Sequence, residues 1–289
     1  MTTMTSMKNE HRNLTHKSVH IVTRTNNARN HALGNVLKNI FYTEQHTWQL
    51  HEWDRWGDGL GAITSALTSG ADLIVAYGDH TLISDVANSI YLHDVPLAIV
   101  NDYNEQIASN LNPVIQLNTS ELEKTLSAFA EERGETLWID LGDMQDRRFL
   151  FHLYMSSAHP EHAATSTYQI TVDDNSYSET GQACLISRRS QTQVSANGEG
   201  PSRPLFDVLI LEDASAGSPA EILKRLDGKP NVSHHFAGSE IRIDASQEQN
   251  IFLDGNLDGT FDGNTMTGSS MYIKAIKKAI QIFLPDGSF

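Results

Sequence analysis

Apolar positions along the chain fall into short runs separated by polar turns, and their spacing changes character about halfway. Residues 18–25 carry Val19, Ile21 and Val22, the partly β-branched content of a strand. Residues 31–41 place Leu33, Val36, Leu37 and Ile40 at helical spacing, with Asn30 as a candidate cap, and residues 48–53 read as a second strand. A helix follows over 57–69, where Leu60, Ile63, Ala66 and Leu67 share one face. Residues 72–76 are a short buried run, 81–90 again have helical spacing, and 96–100 are a further buried strand.

Strands alternating with helices predict a parallel sheet covered on both faces, with sites beyond the carboxyl ends of its strands. The segment 77–81 falls at such an end. One more helix is expected over 122–133, after which the pattern becomes short strands at 136–141, 149–155, 167–172, 182–187, 206–211, 234–243 and 251–253. Residues 190–204, rich in Ser, Asn, Gly and Pro, read as an exposed loop, and 271–283 are apolar and ambiguous between strand and helix. The expected fold is α/β plus β: an N-terminal parallel α/β domain over 1–125, completed by 272–289, and a second, mainly antiparallel β-sandwich domain over 126–271.

Composition narrows the function. With 289 residues the chain is long enough for two ordinary cores, and a net charge of −15 argues against a partner made of phosphate backbone, so no nucleic acid is expected. A single cysteine, Cys184, rules out an internal disulfide and a cysteine metal cluster, which suits a reducing compartment. Residues 1–17 lack the apolar core of a signal peptide, and no stretch approaches the roughly 18 apolar residues of a membrane span. A cytoplasmic protein, able to sit at a membrane surface, is the expectation; a homo-oligomer is left open.

The densest chemistry is Tyr77-Gly78-Asp79-His80-Thr81, between a buried strand and a helix. Gly78 allows close backbone approach, the helix start offers unpaired N–H groups to phosphate oxygens, Thr81 adds a hydroxyl, and Asp79 can orient a hydroxyl or hold a metal through water. A plain strand-to-helix turn with an exposed acid is the competing reading. Here the chain resembles the diacylglycerol kinase catalytic family, whose Gly-Gly-Asp-Gly-Thr signature falls on Gly78, Asp79 and Thr81, with Tyr77 and His80 in place of its first and third glycines. Its first-strand turn matches Thr23-Arg24-Thr25-Asn26-Asn27 without the family proline, and Asn104 and Gln106 stand where the next motif has threonine and asparagine.

Ile139-Asp140-Leu141-Gly142 with residues 147–151, and Phe206-Asp207-Val208, are similar to the family's β-rich half. Leu253-Asp254-Gly255-Asn256 resembles its Asp-Gly-Glu motif, with Asn256 in place of the glutamate. The resemblance implies ATP with magnesium as cofactors, nucleotide contacts from Thr23, Gly78, Asp79, Thr81, Asn104, Gln106, Gly255 and Asn256, and Asp254 as the general base toward a diacylglycerol-like lipid alcohol at a membrane surface. The alternative is a non-catalytic lipid- or nucleotide-binding protein that keeps the kinase fold; a purely structural or regulatory module is the third reading.

No protein metal ligands are assigned. Asp254, Asp258 and Asp262 lack the terminal glutamate of a calcium loop, and His234 and His235 have no Cys/His constellation around them. Trp48, Trp53 and Trp56 read as core and sheet-edge aromatics, and Lys274, Lys277 and Lys278 either favour anionic lipid or form a solvated face.

Overall fold

The computed structural model describes residues 17–24, 33–35, 37–38, 46–53, 59–101, 117–118, 122–157, 165–188, 206–212, 232–254 and 265–286. The first part is a parallel layer made of β1 (Lys17–Arg24), β2 (His46–Trp53), β3 (Leu73–Gly78), β4 (Leu97–Asn101) and the short β5 (Leu117–Asn118). Helices α1 (Gly59–Thr68), α2 (His80–Ile90) and α3 (Leu122–Ala130) accompany it, and residues 33–35 and 37–38, within the expected helix 31–41, are also helical. Alternate residues of β3 explain why its apolar run is unbroken: Ile74 and Ala76 join a core with α1 and α2, while Leu73, Val75 and Tyr77 join one with α3, Leu33 and Leu37. The expected segment 72–76 extends through Tyr77 and Gly78, which continue the strand instead of opening the turn.

The second part is antiparallel, running from β6 (Gly134–Met144) through β7 (Arg147–Phe149), β8 (His152–Ser157), β9 (Ser166–Val172), β10 (Asn175–Gly181), β11 (Ala183–Arg188), β12 (Phe206–Leu211), β13 (Val232–Gly238) and β14 (Glu240–Leu253) to β15 (Thr265–Pro285). It encloses its own core, including Tyr168, Ile170, Cys184, Val208, Ile241 and Ile273. Burial pushes the Cys184 thiol well up, so it is a packing residue and an inert one. All strands link into one sheet network, ordered β13-β12-β11-β8-β14-β15-β4-β3-β1-β2 along its main path.

The ambiguous segment 271–283 is strand, and β15 is the joint of the molecule. It pairs antiparallel with β14 and β6, then parallel with β4 at Ile282 and Leu97. A bulge between Ile276 and Ile280, held where the Lys278 N–H donates to Asp140 at 2.7 Å, turns this strand from one layer to the other.

Three other differences have identifiable causes. The expected strand 149–155 divides into β7 and β8 because the amides of Leu150, Phe151 and His152 donate to the Asp254 carboxylate. The expected strand 234–243 breaks at Ser239, whose N–H and that of Glu240 both donate to Asp173, at 3.1 Å each. Strand β10, NSYSETG, was not expected because it lacks apolar alternation; it pairs with β9 alone and is mostly exposed. Residues 190–204 lie outside the described residues. No helix among those described is long and apolar enough to cross a membrane.

Candidate functional site

Strands β1 and β3 run side by side in parallel, with Thr23 opposite Tyr77, so Arg24 and the Gly78-Asp79 step emerge together at their carboxyl ends. Asp79 is the N-cap of α2: in extended backbone conformation, its Oδ1 accepts the Leu82 N–H at 2.8 Å. Its Oδ2 lies 3.0 Å from Nε of Arg24, and Nη2 of the same guanidinium is 3.5 Å from Oδ1. Both carboxylate oxygens of this nearly buried acid are thus engaged within the chain. Gly78 packs so closely that an added Cβ would stand 2.8 Å from the Leu82 Cδ2. Thr23 and Thr81 are buried beside it. The Tyr77 ring, in place of the family's first glycine, points into the α3-side core, the face opposite α2.

The other acid arrives from β14. Asp254, at φ 45°, is buried, and Ser84 of α2 donates to its Oδ2 at 2.5 Å. The Leu150 amide donates to the same oxygen at 2.5 Å, and the amides of Phe151 and His152 donate to Oδ1 at 2.7 and 2.8 Å. Burial pushes this carboxyl up to about 6 against the pull of those four bonds. Farther along α2, Asn88 donates to the Arg148 carbonyl at 3.2 Å, and the Arg148 guanidinium lies 4.1 Å from the Tyr91 ring centroid. Helix α2 is therefore the shared element: its first residue follows Asp79, and Ser84, about 7.5 Å farther along the axis, holds Asp254.

Arg24 and Ser84 were not singled out by the sequence. The available signals were a cation ending a strand at a sheet's carboxyl edge, and the polar Thr81, Ser84 and Asn88 sharing one face of a helix whose other face is apolar. Asn104, Gln106, Gly255, Asn256 and the His80 side chain lie outside the description. His234 and His235 meet Glu179 and Asp207, each at 2.7 Å, and Lys274 meets Asp143 at 3.5 Å.

The magnesium implied by the resemblance needs oxygen ligands at about 2.0–2.1 Å, commonly a carboxylate plus phosphates. Asp79 offers its oxygens to Leu82 and Arg24 instead, and no group of three or more His, Cys, Asp or Glu among the described residues could hold a metal. As they stand, the residues at Asp79 do not fit the ion.

No protein-family model and no curated protein matches the chain. Solved structures do. A diacylglycerol kinase from Bacillus anthracis strain Sterne superposes with TM-score 0.61 at 11% identity, over 94% of this chain and 98% of that one. A candidate diacylglycerol kinase from the same organism gives TM-score 0.63 at 13% identity, again over 94% and 98%. At such identities the likeness is one of architecture, and over nearly its whole length this chain has the fold of the diacylglycerol kinase catalytic family.

Proposed function

We propose that the protein is an ATP-dependent lipid kinase-like phosphotransferase acting on a diacylglycerol-like alcohol at a membrane surface. The observation that carries this reading is the shared helix: α2 is capped by Asp79, at the carboxyl edge of the parallel strands, and about one and a half turns later holds Asp254 from the antiparallel part. A nucleotide end and an acceptor end on one short rigid element suit an in-line transfer. The parallel part, 1–125 with 272–289, would then be the nucleotide side and 126–271 the acceptor side.

In this reading the phosphate chain lies at the start of α2 beside Gly78, Thr81 and Thr23, with Asn104, Gln106, Gly255 and Asn256 as further contacts. The acceptor oxygen attacks the terminal phosphorus, its proton passes to Asp254 Oδ2 in exchange for the Ser84 hydroxyl, and ADP leaves. A carboxyl raised to about 6 is a stronger base than an ordinary one. No step here is routed through a metal.

One observation favours a second reading. The Asp254 carboxylate is buried and already accepts four hydrogen bonds, as a structural clamp would, and this fits a nucleotide- or lipid-binding protein without transfer. The test is ATP binding with and without magnesium, paired with phosphate transfer to diacylglycerols, sphingoid bases and other lipid alcohols. Transfer supports the kinase, binding without transfer supports the second reading, and no nucleotide binding overturns the kinase.

A further inference from the structure

Resting on the nucleotide reading above, we infer that Arg24 takes the place of the metal at Asp79: the site carries its own cation, and ATP binds there without a divalent ion. The guanidinium is permanently charged and lies against Asp79, with Nη2 donating to Oδ1 at 3.5 Å and Nε 3.0 Å from Oδ2 as an ion-pair contact. Among the described residues Asp79 is its only hydrogen-bond or ion-pair partner, Nε makes no hydrogen bond, and the Nη1 donors remain to meet a phosphate oxygen.

Position makes the role specific. Arg24 is the last residue of β1, on the strand beside Tyr77 and Gly78, so its side chain reaches the first turn of α2 from the neighbouring strand. Its side chain is 36% exposed while that of Asp79 is 10% exposed, so the cation faces outward and the anion lies behind it. A magnesium ion on the Asp79 carboxylate would stand within about 5 Å of the guanidinium, and two cations at that spacing repel. Either the arginine leaves or the ion stays out. A phosphate at the same place meets the opposite field, with the guanidinium positioned to donate to it.

The inference separates from the kinase reading in one titration series. Purified protein is titrated with ATP by calorimetry in EDTA and again in millimolar magnesium, and manganese binding without nucleotide is followed by the loss of its free-ion paramagnetic signal. The wild-type protein is expected to bind ATP within about twofold in the two buffers and to show no saturable manganese site. Arg24→Met is expected to lose at least about tenfold in ATP affinity in EDTA, the scale of one lost charged phosphate contact, to recover in magnesium, and to gain a manganese site. Arg24→Lys, which keeps the charge, is expected to stay independent of magnesium.

ATP binding by the wild-type protein that strictly requires magnesium overturns the inference and leaves the kinase reading standing. So does unchanged binding by Arg24→Met in EDTA, or a wild-type manganese site that Asp79→Asn removes. Failure of the wild-type protein to bind ATP in either buffer overturns both readings. The wild-type comparison needs no variant to fold.

Discussion

Asp79 and Asp254 are the same residue type at two ends of one helix interaction, and they are treated in opposite ways. Asp79 caps α2 and faces a partly exposed cation, so its charge is balanced by charge. Asp254 is sealed from water and surrounded by neutral donors, three of them backbone amides of one turn. An ion pair at a rim can exchange partners at small cost, whereas a buried carboxylate saturated with amides holds its surroundings in shape. The first arrangement suits an anion site and the second a joint. Kinase chemistry would ask the joint to act as a base as well, which is the tension that assays of transfer resolve.

Substitution of Asp254 should show the largest effect. Asp254→Ala leaves the Leu150, Phe151 and His152 amides buried without their acceptor, and a loss of roughly 3–5 kcal/mol is expected in urea unfolding at neutral pH. A loss below about 1 kcal/mol would mean the carboxylate is not the clamp described. Asp254→Asn also misplaces a donor against those amides, so reduced turnover in that variant means something only beside its unfolding curve.

Close packing distinguishes the two regions next. An alanine Cβ at Gly142 would meet the Phe149 ring at 2.2 Å, and about 1–3 kcal/mol of destabilisation is expected. At Gly78 the obstacle is the end of the Leu82 side chain, which can rotate, so Gly78→Ala should cost less in the same melt. Equal costs would show that the start of α2 is packed as rigidly as the β6–β7 contact.

Asp79→Ala should cost about 1–2 kcal/mol through the lost cap, with Asp79→Asn recovering most of it because asparagine caps well. If asparagine recovers nothing, the ion pair carries the stability, contrary to the small worth of a rim pair.

The pH dependence sharpens the contrast further. A carboxyl raised in the folded state stabilises that state when protonated, so the Asp254 contribution is present below about pH 4 and is lost as pH rises through about 6. Ser84→Ala removes a bond that lowers this pKa, so the loss should extend to higher pH in unfolding curves collected from pH 4 to 8. An unshifted curve would remove Ser84 from the account.

The smallest effect concerns His20 and His51, whose ring nitrogens lie 2.9 Å apart on β1 and β2. Burial lowers both values, and for His20 the neighbouring His51 charge adds to the effect against an opposing pull from Asp72. Their contribution is present above about 6.5 and is lost as pH falls through the lowered folded values. His51→Gln should flatten that acid arm. If it does not, the pair is not the group being titrated.

Much of the first part could be read from local pattern. The β-branched run of β1, the two-faced apolar run of β3 and the helical spacing of α2 depend on neighbours in the chain, and the expected and observed ranges differ by a residue or two. The second part was harder. Strand β10 is polar because it lies at an edge, and the β7–β8 break is set by an acid more than 100 residues away.

The same division applies to the site. Asp79 at a strand end before a helix is visible in the order of residues, since a short polar side chain there caps a helix whatever surrounds it. Its pairing with Arg24, 55 residues away, follows from the parallel register of β1 and β3. The hold of Ser84 on Asp254, across 170 residues, follows from α2 packing against the β7–β8 turn. Side-chain periodicity encodes which face a residue presents; which partner meets that face is settled by long-range strand pairing and packing, where distance along the chain carries no information.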